Sequence, residues 1–177
     1  MSVLKNLRNL SGMEYYKCAI YIRRDLTQLL LRDFGTKKNL RTIKHVINDI
    51  TEDDQKLIDN IFEKYGKIDK FQSEVPEWFL TQEKKFISRE LWNLICYITS
   101  ANSIYPAIPS EWDVRRAYQD KAIGCCYGLY QELQYIQTVF PQNLNKLAPI
   151  LESIERETHL LKGWRQSDNK RRILATA

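Results

Sequence analysis

Apolar side chains recur three and four positions apart along four long segments of this chain, the spacing that gathers them on one face of an α-helix. From Met13 to Phe34 the stripe is Tyr15, Ala19, Ile22, Leu26, Leu29 and Leu30, with Gly35 as a C-terminal stop. The stretch EVPEWFLTQEKKFISRELWNLICYITSAN places Pro76 at a helix N-terminus and aligns Ile87, Leu91, Leu94, Ile95 and Ile98. A third segment follows Pro106 and Pro109, with Ser110 as the expected N-cap and Asp113 at N3. Its apolar positions Ala122, Cys126, Leu129, Leu133, Ile136 and Phe140 step by four and three in turn, a bundle seam, and Pro141 ends it. The last segment, from about Asn145 to Arg165, carries Leu147, Ile150, Leu151, Ile154, Thr158, Leu161 and Trp164 on one side, with Pro149 in its first turns.

Short connections join the last three segments, so the pattern predicts an all-α fold, an antiparallel four-helix bundle forming a single domain over residues 1–177. Residues 36–75 break the pattern. TKKNLRTIKHVINDI and TEDDQKLIDNIFEKYG predict an inserted pair of short helices, the second capped by Thr51, with acids in its first turn and Gly66 at its end. Gly124 and Gly128 lie four apart inside the third long helix at a cost of roughly 1 kcal/mol each relative to alanine. That cost predicts that another backbone passes close by, either helix one or a neighbouring subunit.

With 177 residues, 44% of them hydrophobic, and only 6 glycines and 5 prolines, composition agrees with one helical core. No apolar run reaches membrane-spanning length and MSVLKNLRNLSG is not a signal peptide, so the expectation is a cytoplasmic protein without a membrane partner. Cys18, Cys96, Cys125 and Cys126 lie in apolar-periodic segments and read as buried reduced thiols; His45 and His159 have no cysteine at zinc-ligand spacing.

The formal net charge of +5 is unevenly spread. Residues 162–172 hold Lys162, Arg165, Lys170, Arg171 and Arg172 against Asp168 alone, a net of +4, whereas DITEDDQKLIDN (49–60) is acidic. Catalytic constellations are missing: no nucleophile stands beside a usable histidine, no phosphate-cradling glycine loop occurs, and ERETH (155–159) fails the Glu-x-x-His spacing of a di-metal bundle. TEDD reads as a helix N-terminal turn, and Glu152, Glu155 and Glu157 as a solvated helix face. The expectation is therefore a non-enzyme with no metal and no cofactor.

What remains is a basic surface. Arg23 and Arg24 on the first helix, Arg115, Arg116 and Lys121 on the third long helix, and Lys162, Arg165, Lys170, Arg171 and Arg172 at the C-terminus are brought within reach of one another by bundle packing. Trp112, Tyr118, Tyr127 and Trp164 interleave with them as possible stacking platforms, and Trp164 also ends the apolar stripe. This predicts nucleic-acid binding, with residues 166–177 as a basic C-terminal extension that leaves the core.

Arg-x-x-Tyr-Gln-Asp-Lys-Ala-Ile-Gly (Arg115 to Gly124) and the later LLKGWRQSDNKRR (160–172) together resemble the accessory variability determinant proteins of diversity-generating retroelements. The resemblance covers helix one and residues 76–172. It implies a four-helix bundle, a homopentamer, and a non-catalytic partner that binds a reverse transcriptase and nucleic acid, the element's template RNA included, in mutagenic cDNA synthesis. The related bundle proteins encoded in intervening sequences of 23S rRNA genes are the nearest alternative. A second alternative is a purely protein-binding helical module that uses the acidic stretch at 49–60.

Overall fold

In this computed structural model, residues 10–35, 51–54, 56–57, 60, 75–140 and 147–176 are described. All regular structure among them is helical. The long elements are α1 (Glu14–Leu31), α2 (Glu77–Ser103), α3 (Pro109–Val139) and α4 (Ala148–Thr176), with single 3-10 turns at Leu10–Gly12 and Asp33–Gly35. Each long helix packs against two others, α1 on α2, α2 on α3, α3 on α4 and α4 on α1. Pairings such as Tyr15 with Asn102, Arg115 with the carbonyl of Ala101, and Glu14 with Arg156 run in opposite directions along neighbouring axes. The result is the expected antiparallel four-helix bundle.

The apolar stripes read from the sequence converge on the axis of this ring. Ala19, Ile22 and Leu26 of α1, Ile87, Leu91, Leu94 and Ile98 of α2, Leu129, Leu133 and Ile136 of α3, and Ile154 and Leu161 of α4 are all buried. Burying a side chain of this size stabilises the fold by about 1.5–3 kcal/mol, so the bundle is held mainly by these rows.

Three helix ends differ from the sequence reading. The left-handed residues that stop α1 are Asp33 (φ 50°) and Phe34 (φ 57°), not Gly35. Such a backbone costs a non-glycine residue on the order of 1 kcal/mol, and tertiary contacts offset it. Phe34 is buried edge-on against Phe140 at 5.5 Å, while Asp33 is ion-paired with Lys84 of α2. At α3 the helix begins with Pro109 at N1, and Glu111, not Asp113, reaches back to accept the amides of Ala107 and Ile108 at 2.6 and 3.3 Å. Ser110 thus lies inside the helix, because proline already supplies the starting φ.

The third difference concerns α4, which starts at Ala148 with Pro149 next and continues without a break to Thr176. Residues 166–177 were expected to leave the core as an extension, but α4 runs through nearly all of them and Asp168 within them is only 4% exposed. Because α1 begins near the middle of α4, this last stretch packs on the α2–α3 end of the bundle instead. The expected helical pair at 36–75 lies largely outside the described residues; within it, Thr51 accepts the amide of Asp54 at 3.3 Å, as an N-cap does.

Candidate nucleic-acid interface

Arg115 determines how the two conspicuous sequence motifs meet. It projects inward from the first turns of α3 and is 9% exposed, although it was expected among the nucleic-acid contacts. Its Nε donates to Asp168 Oδ2 at 2.6 Å, and Nη1 donates to the carbonyls of Ala101 and Ile104 at 3.0 and 2.8 Å. Those carbonyls belong to the last turn and C-cap of α2, where a helix has acceptors to spare and a partial negative charge. Gln119 donates to the same Asp168 oxygen at 2.7 Å. The guanidinium also stands 5.1 Å from the Trp164 ring centroid, and Trp164 stacks on Tyr15 at 4.3 Å with planes 7° apart. One buried cluster therefore joins all four helices, and burial pushes the Tyr15 hydroxyl up to about 12. Arg115 commits Nε and Nη1 to bonds inside the core and the half-buried Trp164 stacks on Tyr15, so both serve packing between the helices.

The remaining cations divide between different faces. Along the α3–α4 seam, Arg116 lies 3.8 Å from Asp120 and 3.4 Å from Asn169, Arg165 is ion-paired with Asp120, and Arg172 meets Asp113 at 2.6 Å. Lys162 donates to the Tyr127 hydroxyl at 2.6 Å and covers its ring at 5.2 Å. Lys170 and Arg171 are exposed on the outer turns of α4, with Arg171 4.0 Å from Asp168. Arg23, by contrast, sits over Trp92 at the α1–α2 seam, on the opposite side of the ring, and Arg24 is exposed on α1, paired with Asp25 at 2.8 Å. Lys121 covers Tyr97 and Tyr118 at the α2–α3 seam. Bundle packing thus brings Arg116, Lys162, Arg165 and Arg172 together but leaves Arg23, Arg24 and Lys121 apart from them.

Beside the seam, Tyr127, Tyr130, Glu155, Thr158, His159 and Lys162 line an open pocket of about 290 Å³. Tyr127 is 48% exposed, which leaves ring surface available beside a cation. Six cations, from Arg116 to Arg172, stand here against Asp113, Asp120 and Glu155 once the buried Arg115–Asp168 pair is set aside. Sequence reasoning missed Asp113 and Asp120 as partners. It also missed Asp168 and Gln119 as core residues, although Asp168 follows Leu161 by seven positions and Trp164 by four, which puts it on the same stripe.

A second buried acid was misread. Glu152 and Glu155 are exposed as expected, but Glu157 is 0% exposed and neither carboxylate oxygen has a hydrogen-bond partner; the neighbouring Cys18 thiol donates to the carbonyl of Ser153 at 3.7 Å. Burial pushes its carboxyl up to about 8. Burial, with Glu157 beside them, raises the thiols of Cys18 and Cys126, and Cys18 reaches about 12. Cys18, Cys125 and Cys126 are buried free thiols and Cys96 is half-buried. Gly124 and Gly128 also differ from one expectation: a Cβ at either would meet nothing within 4 Å, so helix one does not pass there.

No protein family, curated protein or solved structure matches the chain. Among the described residues, no helix is long and apolar enough to cross a membrane.

Proposed function

We propose that this chain is a non-catalytic, oligomeric nucleic-acid-binding adaptor that supports a retroelement reverse transcriptase on its template RNA, in the manner of the accessory variability determinant proteins. The observation that carries the nucleic-acid part is the α3–α4 seam, where Arg116, Lys162, Arg165 and Arg172 are spaced along the two helices and the exposed ring of Tyr127 lies at the Lys162 end. Cations spaced along one seam suit a phosphate backbone, and an aromatic face beside them suits an unpaired base. The two sequence stretches behind the resemblance also meet, through Arg115 with Asp168 and Asp120 with Arg165. The open space beside Gly124 and Gly128 leaves room for the backbone of a neighbouring subunit, and a closed ring of copies would repeat the seam into a larger positive field.

Arg165, Lys170, Arg171 and Arg172 are the residues to change first. Replacing Lys170, Arg171 and Arg172 together with serine lowers affinity for a structured RNA by at least about tenfold near physiological salt and flattens the salt dependence. Fluorescence anisotropy measures both. Retained affinity with an unchanged salt slope rejects the last turns of α4 as part of the binding surface, the same result with Arg116, Lys162 and Arg165 replaced by serine rejects the seam, and a monomer in size-exclusion light scattering rejects the oligomer. The competing reading, a purely protein-binding module, draws on Asp113, which pairs with Arg172, on Asp120, which is shared by Arg165 and Arg116, and on the exposed acids at 52–54. Unchanged RNA retention in both triple variants favours it.

A further inference from the structure

On the opposite side of α3 from the Arg165 seam, Glu83 of α2 is buried to 5% exposure and its Oε2 has no hydrogen-bond donor. Its polar neighbour is Glu132 of α3, close enough for one carboxyl to donate to the other. Two carboxyls in this arrangement share a proton, since two adjacent buried anions repel. Burial first, and then the bond and charge of Glu132, push Glu83 up to about 7.

The pair lines an open groove of about 900 Å³, with Glu77, Trp78, Phe86 and Arg89 among its walls. Trp78 is 67% exposed, unusual for so large an apolar ring. The cations nearest in sequence do not bond to Glu83: Lys84 is paired with Asp33, while Lys85 and Arg89 line the groove, Lys85 exposed and Arg89 3.4 Å from Glu90 and over Phe86 at 5.2 Å. Among the described residues nothing supplies a donor to the orphan oxygen, and the Glu83 side chain that carries it lines the groove.

We propose that this groove binds a guanidinium group, held between the carboxyls of Glu83 and Glu132 and flanked by the ring of Trp78. The chemistry selects this ligand. A buried carboxylate needs donors, which excludes anions, and Glu77 adds negative charge at the entrance. Among the described residues no third metal ligand joins Glu83 and Glu132. A guanidinium presents paired N–H groups to a carboxylate, stacks on aromatic faces, and is less strongly hydrated than an ammonium, so it enters a half-dry groove at lower cost. Its arrival replaces the shared proton, which leaves to solvent, and both carboxylates ionise around the new positive charge. This inference does not depend on the nucleic-acid reading, because its residues lie on the α2–α3 side.

Isothermal titration calorimetry of the full chain with agmatine tests it, alongside acetyl-Gly-Arg-Gly-amide as the same group on a peptide and butylamine as the ammonium control. The expected result is saturable binding of a guanidinium probe with release of about one proton per site, tightening as pH rises through about 7. Tighter agmatine marks a free small molecule as the source, and tighter peptide marks an arginine of a protein segment. Glu83→Gln weakens binding by about tenfold or more, and Glu132→Gln and the exposed Trp78→Ala weaken it less, so a folding defect in one variant is separable from loss of the site. Absence of binding by both guanidinium probes at millimolar concentration, butylamine as tight as agmatine, or unchanged affinity in Glu83→Gln and Glu132→Gln overturns the proposal.

Discussion

Asp168 and Glu157 are carboxylates on the same helix, three turns apart, and both are withdrawn from water, yet their surroundings are opposite. Asp168 receives Arg115 Nε and Gln119 Nε2 within 2.7 Å, while neither oxygen of Glu157 receives a donor. A buried charge that is paired and hydrogen-bonded is tolerated; one without partners is kept neutral. The two acids therefore play different parts in one core: Asp168 ties helices together through Arg115 and Gln119, and Glu157 titrates above its usual range.

Breaking the paired side has the largest effect. Asp168→Ala leaves the Arg115 guanidinium buried without its counter-charge and lowers unfolding free energy by about 3–5 kcal/mol in urea denaturation. Replacing both members with apolar residues of similar volume, Arg115→Met with Asp168→Leu, recovers most of that loss, since neither buried charge then remains. A double variant as unstable as Asp168→Ala refutes the ion-pair account and leaves packing as the cause.

Relieving the unpaired side has a smaller effect of opposite sign. The Glu157 carboxyl is raised from 4.5 in the unfolded chain to about 8 in the fold. Below about pH 4.5 both states hold the proton and nothing is lost; between there and about 8 only the unfolded chain releases it, so this group's contribution falls as pH rises. Glu157→Leu removes that slope and stabilises the protein by about 2–3 kcal/mol above pH 8, provided the leucine fits the space. Equal stability of the parent protein at pH 5 and pH 8, after allowance for the similar contribution of Glu83, contradicts the buried neutral acid. The smallest effect is at the surface: Arg156→Ala removes the exposed bridge to Glu14 at 2.6 Å and leaves the urea midpoint unchanged within error.

The apolar rows were legible because each long helix repeats them over many turns, so a single polar interruption does not erase the face. Ile154, Leu161 and Trp164 thereby predicted where α4 faces. The same rows hide polar members. Glu157 and Asp168 occupy stripe positions, but their residue types suggest solvent, and only the partner 53 positions away in Arg115 explains one of them. The surface was less legible still. Sequence order assembled all ten cations into one region, whereas a closed four-helix ring has opposite sides, and Arg23 and Arg165 fall on different ones. Neutralising acids such as Asp113 and Asp120 carry no periodic signal, because a surface pair needs only proximity across a seam.

The position of Asp168 also has a consequence during synthesis. Arg115 leaves the ribosome long before its counter-ion, with the whole of the α3–α4 connection still to be made. A nascent or truncated chain ending before Asp168 contains every residue of α1, α2 and α3 and most of the apolar core, but its arginine has no anion to accompany it inside. Such a chain must either leave its α2–α3 end open or bury an unpaired guanidinium there, so the last turns of α4 are needed to close a core that the first three helices have nearly filled.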